Sequence, residues 1–308
     1  MKTRLYFLDN LRTFLILLVV LLHSGIVYES ILQETWIVSD PAKNDSIGLI
    51  RMYLDLFVMF ILFFISGYFI PKSIKNKTNW EFIKSKFNRI MLPWIIAVFT
   101  LIPAYKAIFL YSRGLPQEEW FSYFHIFQRV GGNPYLCSDN PVQNWWWFLP
   151  VLFLFQIVYL ALSKTNVLSI KLSLRTGVLL TLLLGLVYSL VISFSDLSGW
   201  FNSPILHFQR ERLLVYFMVF LLGSLCYKLN VFESNEKNKR NYIWANVALT
   251  LAVSVFTVVA LTLFFNMITP DRNYFFVSEV VDRTVYYATL LISMLSFLYV
   301  FIYLFRFN

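Results

Sequence analysis

Arg12-Thr13-Phe14-Leu15-Ile16-Leu17-Leu18-Val19-Val20-Leu21-Leu22-His23 sets a cation and an imidazole at the two ends of an almost wholly apolar run. A run of this kind, continued to Tyr28, reads as a helix in a bilayer. There an ionisable side chain is costly to bury and marks a functional site. Eleven helical residues turn through about 1100°, three turns and a small remainder, so Arg12 and His23 share a face at roughly 16 Å axial separation. The segment is not read as a cleavable signal peptide, because Tyr28-Glu29-Ser30 is a poor cleavage site.

Working outward, the composition repeats the message. The chain is 58% hydrophobic and 19% aromatic with 14% charged residues, and its mean hydropathy is +0.65. Soluble domains carry nearly twice that charge. Eight spans are predicted, near 10–29, 49–71, 90–111, 145–163, 175–195, 211–228, 242–265 and 282–305. Each is long enough for a hydrocarbon core of about 30 Å. The fold expected is an all-α polytopic membrane helix bundle forming one domain over 1–308.

The net charge of +9 would suit nucleic acid, but the basic residues alternate between loops. They concentrate after the second span, in Lys72, Lys75, Lys77, Lys84, Lys86 and Arg89, and in the other loops on that side. This bias predicts a cytoplasmic N-terminus, a lipid bilayer as the surrounding partner, and no nucleic acid. Cys137 and Cys226 fall on opposite sides and are not expected to pair.

Each candidate side chain has a chemical and a plainer reading. His23 suits a general base, since its ordinary pKa lies near 6.5; the plainer role is a hydrogen bond between helices. Arg12 can hold phosphates through its guanidinium fork or anchor the helix at the interface. Asp9 is favoured as the helix cap, with a contact to Arg12 as the alternative. Ser66-Gly67 suits a close helix crossing. Arg89, where the basic run meets the third span, is the best phosphate candidate among these cations. In Asn144-Trp145-Trp146-Trp147-Phe148-Leu149 three tryptophans wrap about 200° of helix, so at least one faces inward. His125 and His207 are read as surface residues, and no metal-ligand spacing joins the three histidines.

These residues resemble the acyltransferase 3 family of integral membrane acyltransferases, nearest the glucan-biosynthesis protein C group. The likeness rests on Leu8-Asp9-Asn10-Leu11-Arg12, the Arg12 to His23 spacing, Phe64-Ile65-Ser66-Gly67-Tyr68-Phe69, the basic stretch with Arg89 and Pro93, and Trp147-Phe148-Leu149. It implies an O-acyltransferase using a cytoplasmic acyl-CoA donor and a glycan or related hydroxyl acceptor, with no permanently bound cofactor. It also implies a bacterial inner membrane. His23 would be catalytic, Arg12 and Arg89 donor-binding, and Asp9, Ser66, Asn144 and Trp147 supporting. Two departures stand out. Trp145 occupies a position where the family often has histidine, and the family typically has ten spans. The chain, closing at Phe305-Arg306-Phe307-Asn308, therefore reads as short of the last pair, with the polar residues Thr284, Tyr286, Tyr287, Thr289, Ser293 and Ser296 of the eighth span expected to face a missing neighbour or a second copy. A transporter or flippase, or an inactive fragment, is the alternative. No pair of matching Gly/Pro-broken segments supports transport.

Overall fold

Apolar runs with no internal backbone partner but themselves must close their own hydrogen bonds in lipid, and helices do so. The computed structural model describes residues 5–29, 36–38, 40–75, 77–117, 146–203, 205–234, 236–268 and 275–307. Its helices are α1 (Tyr6–Ser24), α2 (Asp45–Ile74), α3 (Asn79–Lys86), α4 (Leu92–Ser112), α5 (Phe148–Leu162), α6 (Leu174–Phe194), α7 (Leu213–Lys228), α8 (Lys239–Ile268) and α9 (Glu279–Phe307). The all-α polytopic bundle is what the sequence led one to expect. Among the described residues, six helical stretches are long and apolar enough to cross a membrane. The other two predicted spans form shorter helices. α5 has 15 residues. α7 has 16, because Arg210-Glu211-Arg212 forms a separate 3-10 turn ahead of it.

Two local features were not expected. The basic stretch 72–89 was read as a loop, yet most of it is helical. Thr78 caps α3: its hydroxyl accepts from the Glu81 amide at 3.2 Å, and the Glu81 carboxylate accepts from the Thr78 amide at 2.8 Å, a reciprocal capping box. A π-helical turn, Phe87–Met91, then joins α3 to α4. The loop 196–210 holds an antiparallel hairpin, β1 (Trp200–Asn202) with β2 (His207–Gln209), in which Phe201 faces Phe208.

The core runs along α2, α7, α9 and the inner faces of α1 and α5. α1 turns Leu8, Leu11, Leu15 and Leu22 inward. α2 and α7 cross at backbone contact. A Cβ on Gly67 would sit 1.9 Å from the Phe220 carbonyl oxygen, and one on Gly223 would sit 2.2 Å from that of Phe64. The packing role read for Ser66-Gly67 is thus seen, with Ser66 half-buried beside the crossing.

The polar residues of the eighth span are accommodated in several ways. Tyr287 and Ser293 are buried, as is Ser296. Tyr286 lies close to Arg212 and Tyr287 close to Ser193. Thr284 and Thr289 turn their hydroxyls back onto their own helix carbonyls. Ser293 Oγ is buried without a hydrogen-bond partner among the described residues.

Candidate functional site

α1 is helical from Tyr6 through Ser24, so the Arg12 to His23 spacing holds. Arg12 directly follows buried Leu11 and His23 directly follows buried Leu22. Both therefore lie on the same flank of the packed face. Arg12 stays 51% exposed and pairs with Asp9 at 3.3 Å. The N-cap of α1 is Leu5, without a side-chain cap bond. Asp9 therefore holds Arg12 and does not cap the helix, the less favoured of its two readings. The helix starts one turn earlier than the apolar run, which puts Asp9 inside its first turn.

His23 is half-buried at the far end of α1. The Trp36 indole lies flat against its ring at 5.9 Å and 5°. Arg113, at the end of α4, fixes that indole's backbone by donating to the carbonyls of Trp36 at 2.9 Å and Ile37 at 3.3 Å. Tyr105 meets the Trp36 ring edge-on. α2 also reaches this end of α1. Arg51 donates through Nε to the Leu22 carbonyl at 2.6 Å and pairs with Glu29. Asp55, one turn further along α2, accepts from Arg212 at 2.6 Å. Arg51 and Asp55 both lie within electrostatic reach of the His23 ring.

Arg212 is buried and lies close to the phenols of Tyr216 and Tyr286. Trp147 is buried, as expected for at least one of the three tryptophans, and packs on Tyr216 at 5.9 Å and Trp200 at 5.7 Å. It thus walls the cluster on the α5 side. Asn144, Trp145, His125 and Cys137 lie outside the described residues. Cys226 is buried in α7. Arg89 is exposed in the π-helical turn, close enough to Lys86 for their charges to interact, as is Lys77. His207 is not a plain surface residue: half-buried, it stacks on Trp200 at 4.4 Å and 11°.

His23 is related to Trp147 only through Asp55, Arg212 and Tyr216, while Arg12 and Asp9 sit toward the opposite end of α1. Sequence reasoning missed Glu29, Arg51, Asp55 and Arg212. Arg51 and Arg212 stand at the edges of apolar spans, where a charge commonly reports only topology. The available signal was Arg51 and Asp55, four residues apart and so on one helix face, at the head of an apolar span.

Such an arrangement offers a potential base beside fixed cations and carboxylates, which suits proton transfer coupled to attack on a carbonyl. No curated protein and no solved structure matches the chain. A family model described as an acyltransferase domain matches residues 5–308. The chain accordingly belongs to the acyltransferase 3 family and is a membrane acyltransferase.

Proposed function

We propose that the protein is an O-acyltransferase that moves an acyl group from a cytoplasmic acyl-CoA-type thioester to a hydroxyl of a glycan or related acceptor on the far side of a bacterial inner membrane. The observation that carries this reading is His23, set beside Trp36 and α2 at the end of a helix whose other end bears Arg12. His23 would take the proton of the acceptor hydroxyl as its oxygen attacks the thioester carbonyl. The new C–O bond forms, the C–S bond breaks, and His23 returns the proton to the departing thiolate. The imidazole thus ends neutral and the products are an ester and free CoA.

By chain direction Arg12 and Arg89 belong to the end opposite His23, the end that carries the basic loops. There they would hold the donor's phosphates, for which a guanidinium offers paired N–H donors. CoA carries its thioester at the tip of a long pantetheine arm, which suits a gap of roughly 16 Å along α1. Asp9 would keep Arg12 oriented, Ser66 would flank the α2–α7 crossing, and Trp147 would wall the acceptor side. Asn144 belongs with them by its place in the motif.

The test is His23→Ala, with base-labile acyl groups measured on isolated cell envelopes. Loss of a general base lowers the rate by about 10²–10⁴, with the variant still present and folded in the membrane. Undiminished acylation by a folded His23→Ala protein would make this a structural histidine.

A further inference from the structure

Acyl transfer from a thioester builds negative charge on the carbonyl oxygen, and rate is gained by fixed donors aimed at that oxygen. Arg12, roughly 16 Å from His23 along α1, lies too far from it to serve. Beside His23, Arg51 has the features required. Its Nε is spent on the Leu22 carbonyl and its Nη1 on Glu29. The Nη2 edge has no protein partner among the described residues.

This grip is built into the local sequence. A Cβ on Gly25 would come within 3.0 Å of the Arg51 side chain and 2.8 Å of Ile47, and one on Gly48 would come within 3.3 Å of the Glu29 carboxylate. Glycine at both positions leaves room for the pair. Arg51 is 12% and Glu29 8% exposed, so the guanidinium acts where charge interactions are stronger than in water. Asp55 is the natural competitor for Arg51 at four residues' distance, but Arg212 occupies it. The guanidinium is therefore oriented by two contacts, with its remaining N–H groups left over, next to the candidate base.

We infer that Arg51 is the oxyanion-stabilising residue, its Nη2 edge donating to the thioester carbonyl oxygen while His23 takes the acceptor proton. This rests on His23 acting as the base of an acyl transfer. The experiment compares full-length Arg51→Gln, Arg51→Ala, Glu29→Gln and His23→Ala. Base-labile acyl groups are measured on cell envelopes, thiol release from acetyl-CoA by membrane vesicles, and thermal stability in detergent. The expected result is a kcat lowered by about 10²–10³ in Arg51→Gln with little change in KM. Glu29→Gln should lose much less, and added guanidinium ion should partly restore Arg51→Ala.

A purely structural strap gives a different pattern. Arg51→Gln and Glu29→Gln would then lose activity alike and in step with stability, and guanidinium would restore nothing; that pattern overturns the inference. Wild-type turnover in Arg51→Gln, with His23→Ala inactive, refutes the role of Arg51 alone. Activity in His23→Ala refutes the base assignment beneath it.

Discussion

His207 shows how a single side chain can tie the outer hairpin to pH. Its ring is stacked on Trp200 and bonded to the Phe201 backbone, while Nδ1 is buried without a hydrogen-bond partner. Burial lowers its pKa from the ordinary 6.5 to about 4. An opened hairpin would bind a proton below 6.5, whereas the closed one resists protonation down to about 4. The closed form is therefore fully favoured above 6.5 and loses ground as pH falls through that window. We expect Trp200 fluorescence to report opening of the hairpin between these values, and His207→Phe to flatten the response. An unchanged pH response in His207→Phe would assign it to another group. At this same scale, His23 was legible as a candidate because an ionisable group in an apolar run breaks the rule of its setting, whereas the helix turn showed only that at least one of three tryptophans faces inward and not that it is Trp147. Arg51, Asp55 and Arg212 were not legible. Each sits where a charge is ordinary, near a span's edge, and their meaning depends on partners 29 to 157 residues away.

Among the elements, the α2–α7 crossing is the tightest contact described. Both of its glycines face backbone atoms, which cannot swing aside as a side chain end can. Gly67→Ala should therefore force the helices apart and destabilise the fold by about 1–3 kcal/mol or more, seen as a lower melting temperature in detergent. Ser66→Ala, half-buried beside the crossing, should have a small effect. Equal effects would mean that the crossing relaxes freely. A Ser-Gly pair in an apolar helix announced close packing, but nothing in the sequence named Gly223 as its opposite number. The reverse holds for α3: its Thr78 and Glu81 spelled out a capping box, and the density of lysines after it drew the reading toward a loop. For α9 the sequence shows polar residues but not their surroundings: Tyr287 and Ser296 are buried, while Thr284 and Thr289 bond carbonyls of their own helix, and that division is invisible until the helices are assembled.

For the whole molecule, the basic bias predicts which face is cytoplasmic. Exposed Trp80 and Phe276 lie on opposite sides in that scheme. In a background lacking both native cysteines, an impermeant thiol reagent on intact cells should label Phe276→Cys and spare Trp80→Cys. The opposite pattern would place Arg12 and Arg89 on the side without donor. One dimension of the bundle bears on how two water-soluble reactants could ever meet in it. α5 and α7, with 15 and 16 residues, rise only about 22–24 Å, against a hydrocarbon thickness of about 30 Å. Lipid beside α5 must compress or admit headgroups and water to match it, and α7, packed on α2 and α6, extends that short section inward. The insulating layer beside α5 would then have a waist. A donor reaching up from one side and an acceptor reaching down from the other would each keep its polar part wet, and only the reacting ends would enter the dry middle.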